Sequence, residues 1–176
     1  ATLSEPLPAA SGRVLILGYG RVGQVIGRML EETGVPYGAL DSDPARVNEA
    51  ALAGVPIRFG DAARTELQRG LGLESASLVV VCIDDWQGAL RALTSARALN
   101  PTGPILVRSR DDRHMDAFLA AGATEVVPET FESSLMLFTH VMALLRHDRA
   151  ATEAALDRVR ADRYHLLHGV IAGERH

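Results

Sequence analysis

Residues 14–24, VLILGYGRVGQ, constrain the fold of this chain more than any other stretch. Four apolar residues run into Gly18, and Gly18-Tyr-Gly-Arg-Val-Gly23 then opens a segment of helical periodicity, so a strand must turn sharply into a helix there. The pattern G-x-G-x-x-G is weak evidence when it stands alone. Between a strand and a helix each glycine acquires a duty: Gly18 permits the tight turn, Gly20 removes a Cβ so that backbone can approach a phosphate, and Gly23 lets helix and strand pack closely. The N–H groups and dipole of the helix start attract a phosphate or pyrophosphate. Arg21, inside the turn, is placed either to clamp an anion or to point into solvent, and Val22 belongs to the same loop.

The same alternation of strand and helix runs through the rest of the chain. Short β-branched runs predict strands over 13–17, 35–41, 55–59, 77–83, 104–108 and 124–127, with helices over 21–33, 44–53, 63–71, 85–99, 112–121 and 130–147. Strands as apolar as Leu78 to Ile83 are covered on both faces, which makes the sheet parallel and doubly wound. The expected fold is therefore a Rossmann-like six-stranded sheet of order 3-2-1-4-5-6. Residues 1–12, with two prolines and no periodicity, read as a linker, and 13–147 as the nucleotide-binding domain. A further helix over 150–168, within an extension 148–176, exceeds what such a domain needs. Phe131, Leu135, Phe138, Met142 and Leu145 form an apolar stripe suited to packing on the sheet or to a subunit contact. The chain does not begin with methionine, which fits an excised piece of a longer protein as well as a processed start.

Ligands of open α/β sheets sit beyond the carboxyl ends of the strands, so the residues there are the candidates for a site. Asp41 closes the second strand where a carboxylate should meet a ribose 2′-hydroxyl. Ser42, Asp43 and Pro44 come next, without the arginine that a 2′-phosphate would require, which argues for free ribose hydroxyls and against NADP. Asp43 and Pro44 have the chemistry of a helix cap and first turn. Asp61 and Ala62 follow the third strand, Asp61 either accepting from an adenine amino group or capping a helix from Ala63. Ile83 and Asp84 end the fourth, with Asp85 read as an N-cap. Arg108 and Arg110 leave the fifth on the same rim. Cys82 reads as a core residue, and His114, His140, His147, His165 and His168 lack the spacing of a metal site.

Composition narrows the function. The formal charge of −4 argues against nucleic acid, and the six-residue run Leu78 to Ile83 is far short of the roughly twenty apolar residues that cross a bilayer. One cysteine cannot form an internal disulfide, so a reducing compartment is expected. All 18 basic residues are arginine, which removes every mechanism that needs a lysine amine, from Schiff bases to the phosphate-binding loop of NTPases. A nicotinamide dehydrogenase would also need a substrate pocket with a placed acid or base, and few residues remain to build one.

Taken together, GYGRVGQ (18–24), LDSDP (40–44), FGDA (59–62), IDD (83–85), VRSRD (107–111) and above all AGATEVVPETFESSLML (121–137) resemble the TrkA-N or KTN domain of the regulator-of-potassium-conductance type, in the form carried by Kef-type potassium/proton antiporters. The resemblance implies a domain that is not an enzyme but binds AMP, NAD(H) or a related adenine nucleotide and gates transport. It implies that Gly18, Gly20, Arg21 and Gly23 face phosphates, Asp41 the ribose and Asp61 the adenine. It further implies a homodimer joined through the helices after the last strands, and a membrane transport domain earlier in the same chain. The domain would then be the cytoplasmic part of an inner-membrane protein. Glutathione is implied as a further partner of some members, near Arg108 or Arg110. A detached regulatory subunit of a Trk- or Ktr-type potassium channel is the alternative within the same family.

Overall fold

The computed structural model describes residues 12–162. Its elements alternate as the sequence predicts: β1 (Val14–Leu17), α1 (Arg21–Glu32), β2 (Tyr37–Asp41), α2 (Pro44–Leu52), β3 (Ile57–Phe59), α3 (Thr65–Gly70), β4 (Leu78–Val81), α4 (Trp86–Leu99), β5 (Ile105–Ser109), α5 (Met115–Ala120), β6 (Glu125–Pro128), α6 (Glu129–Leu144) and α7 (Arg149–Ala161). The strands form one parallel sheet of order β3-β2-β1-β4-β5-β6. In register, Val14 to Leu17 of β1 lie between Tyr37 to Leu40 of β2 and Leu78 to Val81 of β4. The order reverses between β1 and β4, and that switch point opens the crevice in which such sheets bind ligands.

Every residue of β1 is buried, as continuous apolar strands require when helices cover both faces. On one face Val14, Ile16, Tyr37, Ala39, Ile57 and Val80 pack under Val22, Ile26 and Leu30 of α1 and Val47 and Ala50 of α2. Fully burying one such aliphatic side chain contributes about 1.5–3 kcal/mol. Helix α1 lies very close to the sheet because it turns glycines toward it: a Cβ on Gly27 would lie 3.1 Å from the Tyr37 ring of β2. Burial, and then the hydrogen bond donated to Glu31, push the Tyr37 hydroxyl above its ordinary range, so it remains a neutral donor. α4 packs against β4, β5 and α3, and the buried Gln68 amide donates to the carbonyls of Ala62 and Ala92, tying α3 to α4.

At the edge where β5 and β6 begin, Arg97 gathers three backbone carbonyls. Its guanidinium donates to Gly122, Asn100 and Gly103, with Nη1 2.6 Å from the Gly103 oxygen.

Some boundaries differ from the sequence reading. The third helix begins at Thr65, not at residue 63, because an Asp61 turn occupies residues 61–64. The fifth begins at Met115 rather than residue 112, since Asp111 accepts from the Arg113 N–H and bends the chain. A 3₁₀ turn over Leu73–Ser75, entered through Gly72 at φ +80°, had no counterpart in the sequence reading. Helix α7 covers the first part of the expected 150–168, whose remainder lies outside the described residues, as do residues 1–11 of the linker, His165 and His168.

The chain divides into two compact units, whose described parts are residues 12–109 with 114–127, and 110–113 with 128–162. In the second, α6 and α7 bury Leu135, Thr152 and Leu156, and Arg160 reaches Glu132 at 3.3 Å. Phe131 and Met142 of the expected stripe are half-buried, while Phe138 and Leu145 are exposed, along with Met136, Leu137, Val141 and Leu144. The open apolar face of α6 is thus broader than the stripe. His140 and His147 are exposed. No helix among the described residues is long and apolar enough to cross a membrane.

Candidate functional site

β1 ends in a turn that only glycine fits. Gly18 sits at φ +97°, and a Cβ there would lie 2.9 Å from the Cys82 carbonyl carbon. Gly23, one helical turn on, has Gly18 directly against it, since a Cβ would come within 2.4 Å of the Gly18 oxygen. Around Gly20 there is nothing within 4 Å of the corresponding position. Two glycines therefore serve packing, and the third leaves open space. Gly20 is the N-cap of α1, and no side chain caps that helix among the described residues. The first N–H groups of α1 have no acceptor within the helix either.

Beside this opening stands the Asp41 carboxylate, 5% exposed. Tyr19 N–H donates to its Oδ2 at 2.6 Å, Asp43 N–H to its Oδ1 at 2.8 Å, and Arg46 Nη1 lies 3.2 and 3.4 Å from the two oxygens. The Gln24 amide donates to the Tyr19 carbonyl and fixes the loop from below. Gly18, Gly20, Leu40, Asp41 and Ser42 form one wall of a cleft of about 320 Å³. Asp61, Ala62, Cys82, Ile83, Asp84, Asp85 and Gly88 also line it, and Arg46 and Arg91 complete it. Small-molecule sites span about 300–1,000 Å³.

The cleft brings Gly18, Gly20, Asp41, Ser42, Asp61, Ala62, Ile83 and Asp84 together. It does not gather Arg21, Val22, Gly23 or Arg108. Arg21, at the first helical position, lines a separate groove between α1 and α2, and Val22 turns into the core. Arg108 of β5 reaches the rim through an ion pair with Asp84. Asp43 and Asp85 cap α2 and α4, accepting from Ala45 and Arg46 in one case and from Gly88 in the other. Asp61 accepts from Ala63 N–H in a turn and is not the N-cap of α3, which is Arg64. Cys82 is buried, and it also borders the cleft. His114 stacks on Trp86 with ring centroids 3.8 Å apart.

Arg46 and Arg91 escaped the sequence reading. An arginine accompanies Asp41 after all, and what still disfavours a 2′-phosphate at that position is the carboxylate itself. A signal for Arg46 was available: Asp43-Pro44 fixes the helix start, and side chains of a first turn lean back toward the N-terminus.

The geometry is that of a nucleotide cleft, and comparison with known proteins gives it a family. Residues 14–129 match the TrkA-N domain. The chain belongs to the TrkA-N family. Among relatives of this TrkA-N domain is a candidate K(+) efflux antiporter KefB of Alkalimonas amylolytica, 39% identical over 160 residues, covering 91% of this chain and 24% of the relative. The glutathione-regulated potassium-efflux protein KefC of Cronobacter sakazakii is 35% identical over 123 residues, which are 70% of this chain and 20% of the relative. The chain thus spans a quarter or less of those proteins. The solved C-terminal domain of Kef from Shewanella denitrificans, in an AMP-bound form, superposes with a TM-score of 0.75 at 33% identity, covering 92% of this chain and 98% of that one. These relatives are transporters and a transporter domain, and the likeness to the solved Kef domain agrees with the Rossmann-like sheet seen here.

Proposed function

We propose that this TrkA-N domain is the cytoplasmic regulatory part of a Kef-type potassium/proton antiporter, that it binds AMP or NAD(H), and that binding gates cation transport without turnover of the ligand. One observation carries this reading: a buried carboxylate stands beside an uncapped, glycine-led helix start, so that one ribose and one phosphate group can be met together. The AMP-bound Kef domain, with its likeness over nearly the whole chain, supports the same ligand class. A regulatory domain of this kind needs differential affinity between two arrangements, typically a coupling of about 1–3 kcal/mol. The dimer is formed through the exposed apolar face of α6, and the transport domain precedes residue 1 in the full-length protein.

Thermal unfolding tests the ligand. AMP, ADP or NAD at 100 times its Kd should stabilise the domain by about 2.7 kcal/mol, NADP far less, and Asp41→Ala should abolish most of the shift. Equal shifts with NAD and NADP would remove Asp41 from the ribose site. Sedimentation tests the assembly: Phe138→Glu should leave a folded monomer, and a persisting dimer would place the interface elsewhere.

A further inference from the structure

The Asp41 carboxylate has no room for another donor. An ionised carboxylate offers about four lone-pair positions, and here Oδ1 already accepts from Asp43 N–H and Arg46, and Oδ2 from Tyr19 N–H and Arg46. A ribose diol must therefore displace something. The two backbone donors are set by the glycine loop and by the turn into α2, at 2.6 and 2.8 Å. Arg46 is the replaceable partner: its contacts are longer, at 3.2 and 3.4 Å, and its side chain is 40% exposed.

Arg46 also borders two cavities at once, the nucleotide cleft and the groove between α1 and α2. That groove is lined by Glu31, Glu32 and Glu49, and Glu49 lies three residues along α2 from Arg46, within reach on the same helical face. A guanidinium released from Asp41 has an acceptor one turn away.

We infer that Arg46 is a specificity-determining latch, which holds the ribose position on Asp41 and is exchanged to the α1–α2 groove when a ribose diol takes its place. The inference rests on the proposal that Asp41 meets a ribose. A ligand lacking the diol leaves the latch closed, whereas a diol must displace it, so Arg46 holds the preference for both hydroxyls below what Asp41 alone would give.

Calorimetric titration of the wild-type protein and Arg46→Gln with AMP and with 2′,3′-dideoxy-AMP tests this, because the ratio of the two affinities cancels any effect of the lost charge on the phosphate. The latch predicts that AMP is favoured over dideoxy-AMP about two- to fivefold more strongly in the variant than in the wild type, the scale of a half-exposed ion pair. An unchanged or smaller ratio overturns it, and means that Arg46 holds Asp41 for the sugar or is irrelevant to it. In the wild type the NMR signal of the Arg46 Nε–H should move on saturation with AMP and stay with dideoxy-AMP; identical behaviour with both overturns the latch even where AMP binds normally. Absence of AMP binding to the wild type overturns the nucleotide reading itself, and the latch with it.

Discussion

Helices α1, α2 and α4 all start where parallel strands end, yet they start differently. α2 is closed by its own chain, through Asp43 accepting two N–H groups and Pro44 removing a third, and α4 is closed by Asp85. α1 begins at a glycine, with no capping side chain and no acid in its first turn. A side-chain cap is worth about 1 kcal/mol, so α1 forgoes a stabilisation that its neighbours have. The difference teaches where to look for a ligand: of these three helix starts, that of α1 is the one an anion from outside can complete.

This contrast can be broken or sharpened by mutation. The largest effect on stability is expected at Gly23, where the intruding Cβ meets backbone and not a flexible side chain. Gly23→Ala should cost about 3 kcal/mol or more, seen as a fall in Tm of about 2–4 °C per kcal/mol; a melting point within a degree of wild type would mean that α1 is not seated as described. Next comes Asp43→Ala, which exposes the start of α2 and should cost about 1 kcal/mol in chemical denaturation. Were the loss negligible, capping would not distinguish the three helices. The smallest effect on stability belongs to Gly20→Ser, which supplies α1 with the kind of acceptor its neighbours own. The substituent enters open space at φ −74°, so stability should change by a few tenths of a kcal/mol. The AMP-induced thermal shift should nevertheless collapse. A variant that keeps the full shift would show that the open helix start is not where the phosphate sits.

What was legible in the sequence was local. The alternation of strands and helices, the glycine turn, Asp41 at the end of β2 and the caps Asp43 and Asp85 all follow from spacing along the chain, because each depends on neighbours within a few residues, and the strand order came with the fold class that the alternation and the turn imply. What was not legible depended on the direction of a side chain. Arg21 shares the turn with Gly20, but the first helical residue points into the α1–α2 groove, whereas Arg46, five residues beyond Asp41, folds back onto it. Arg91 sits more than a turn into α4 and reaches the cleft only because that helix packs against α3 and β4. Asp61 shows the same limit at a helix start: an aspartate followed by small residues reads as a cap, and a turn had to be seen in three dimensions before α3 could be placed at Thr65.

The Arg97 fork has a consequence for how the two rims of the sheet open. A single guanidinium fastens the carbonyls of Asn100, Gly103 and Gly122 to one another where β5 and β6 begin. On the opposite rim Asp43 and Asp85 bind N–H groups no more than three residues away, so each loop is held on its own. Amide exchange under native conditions should therefore be faster around residues 43–46 and 85–88 than around 103–105 and 122–124, so that one edge frays loop by loop while the far edge opens only as a unit.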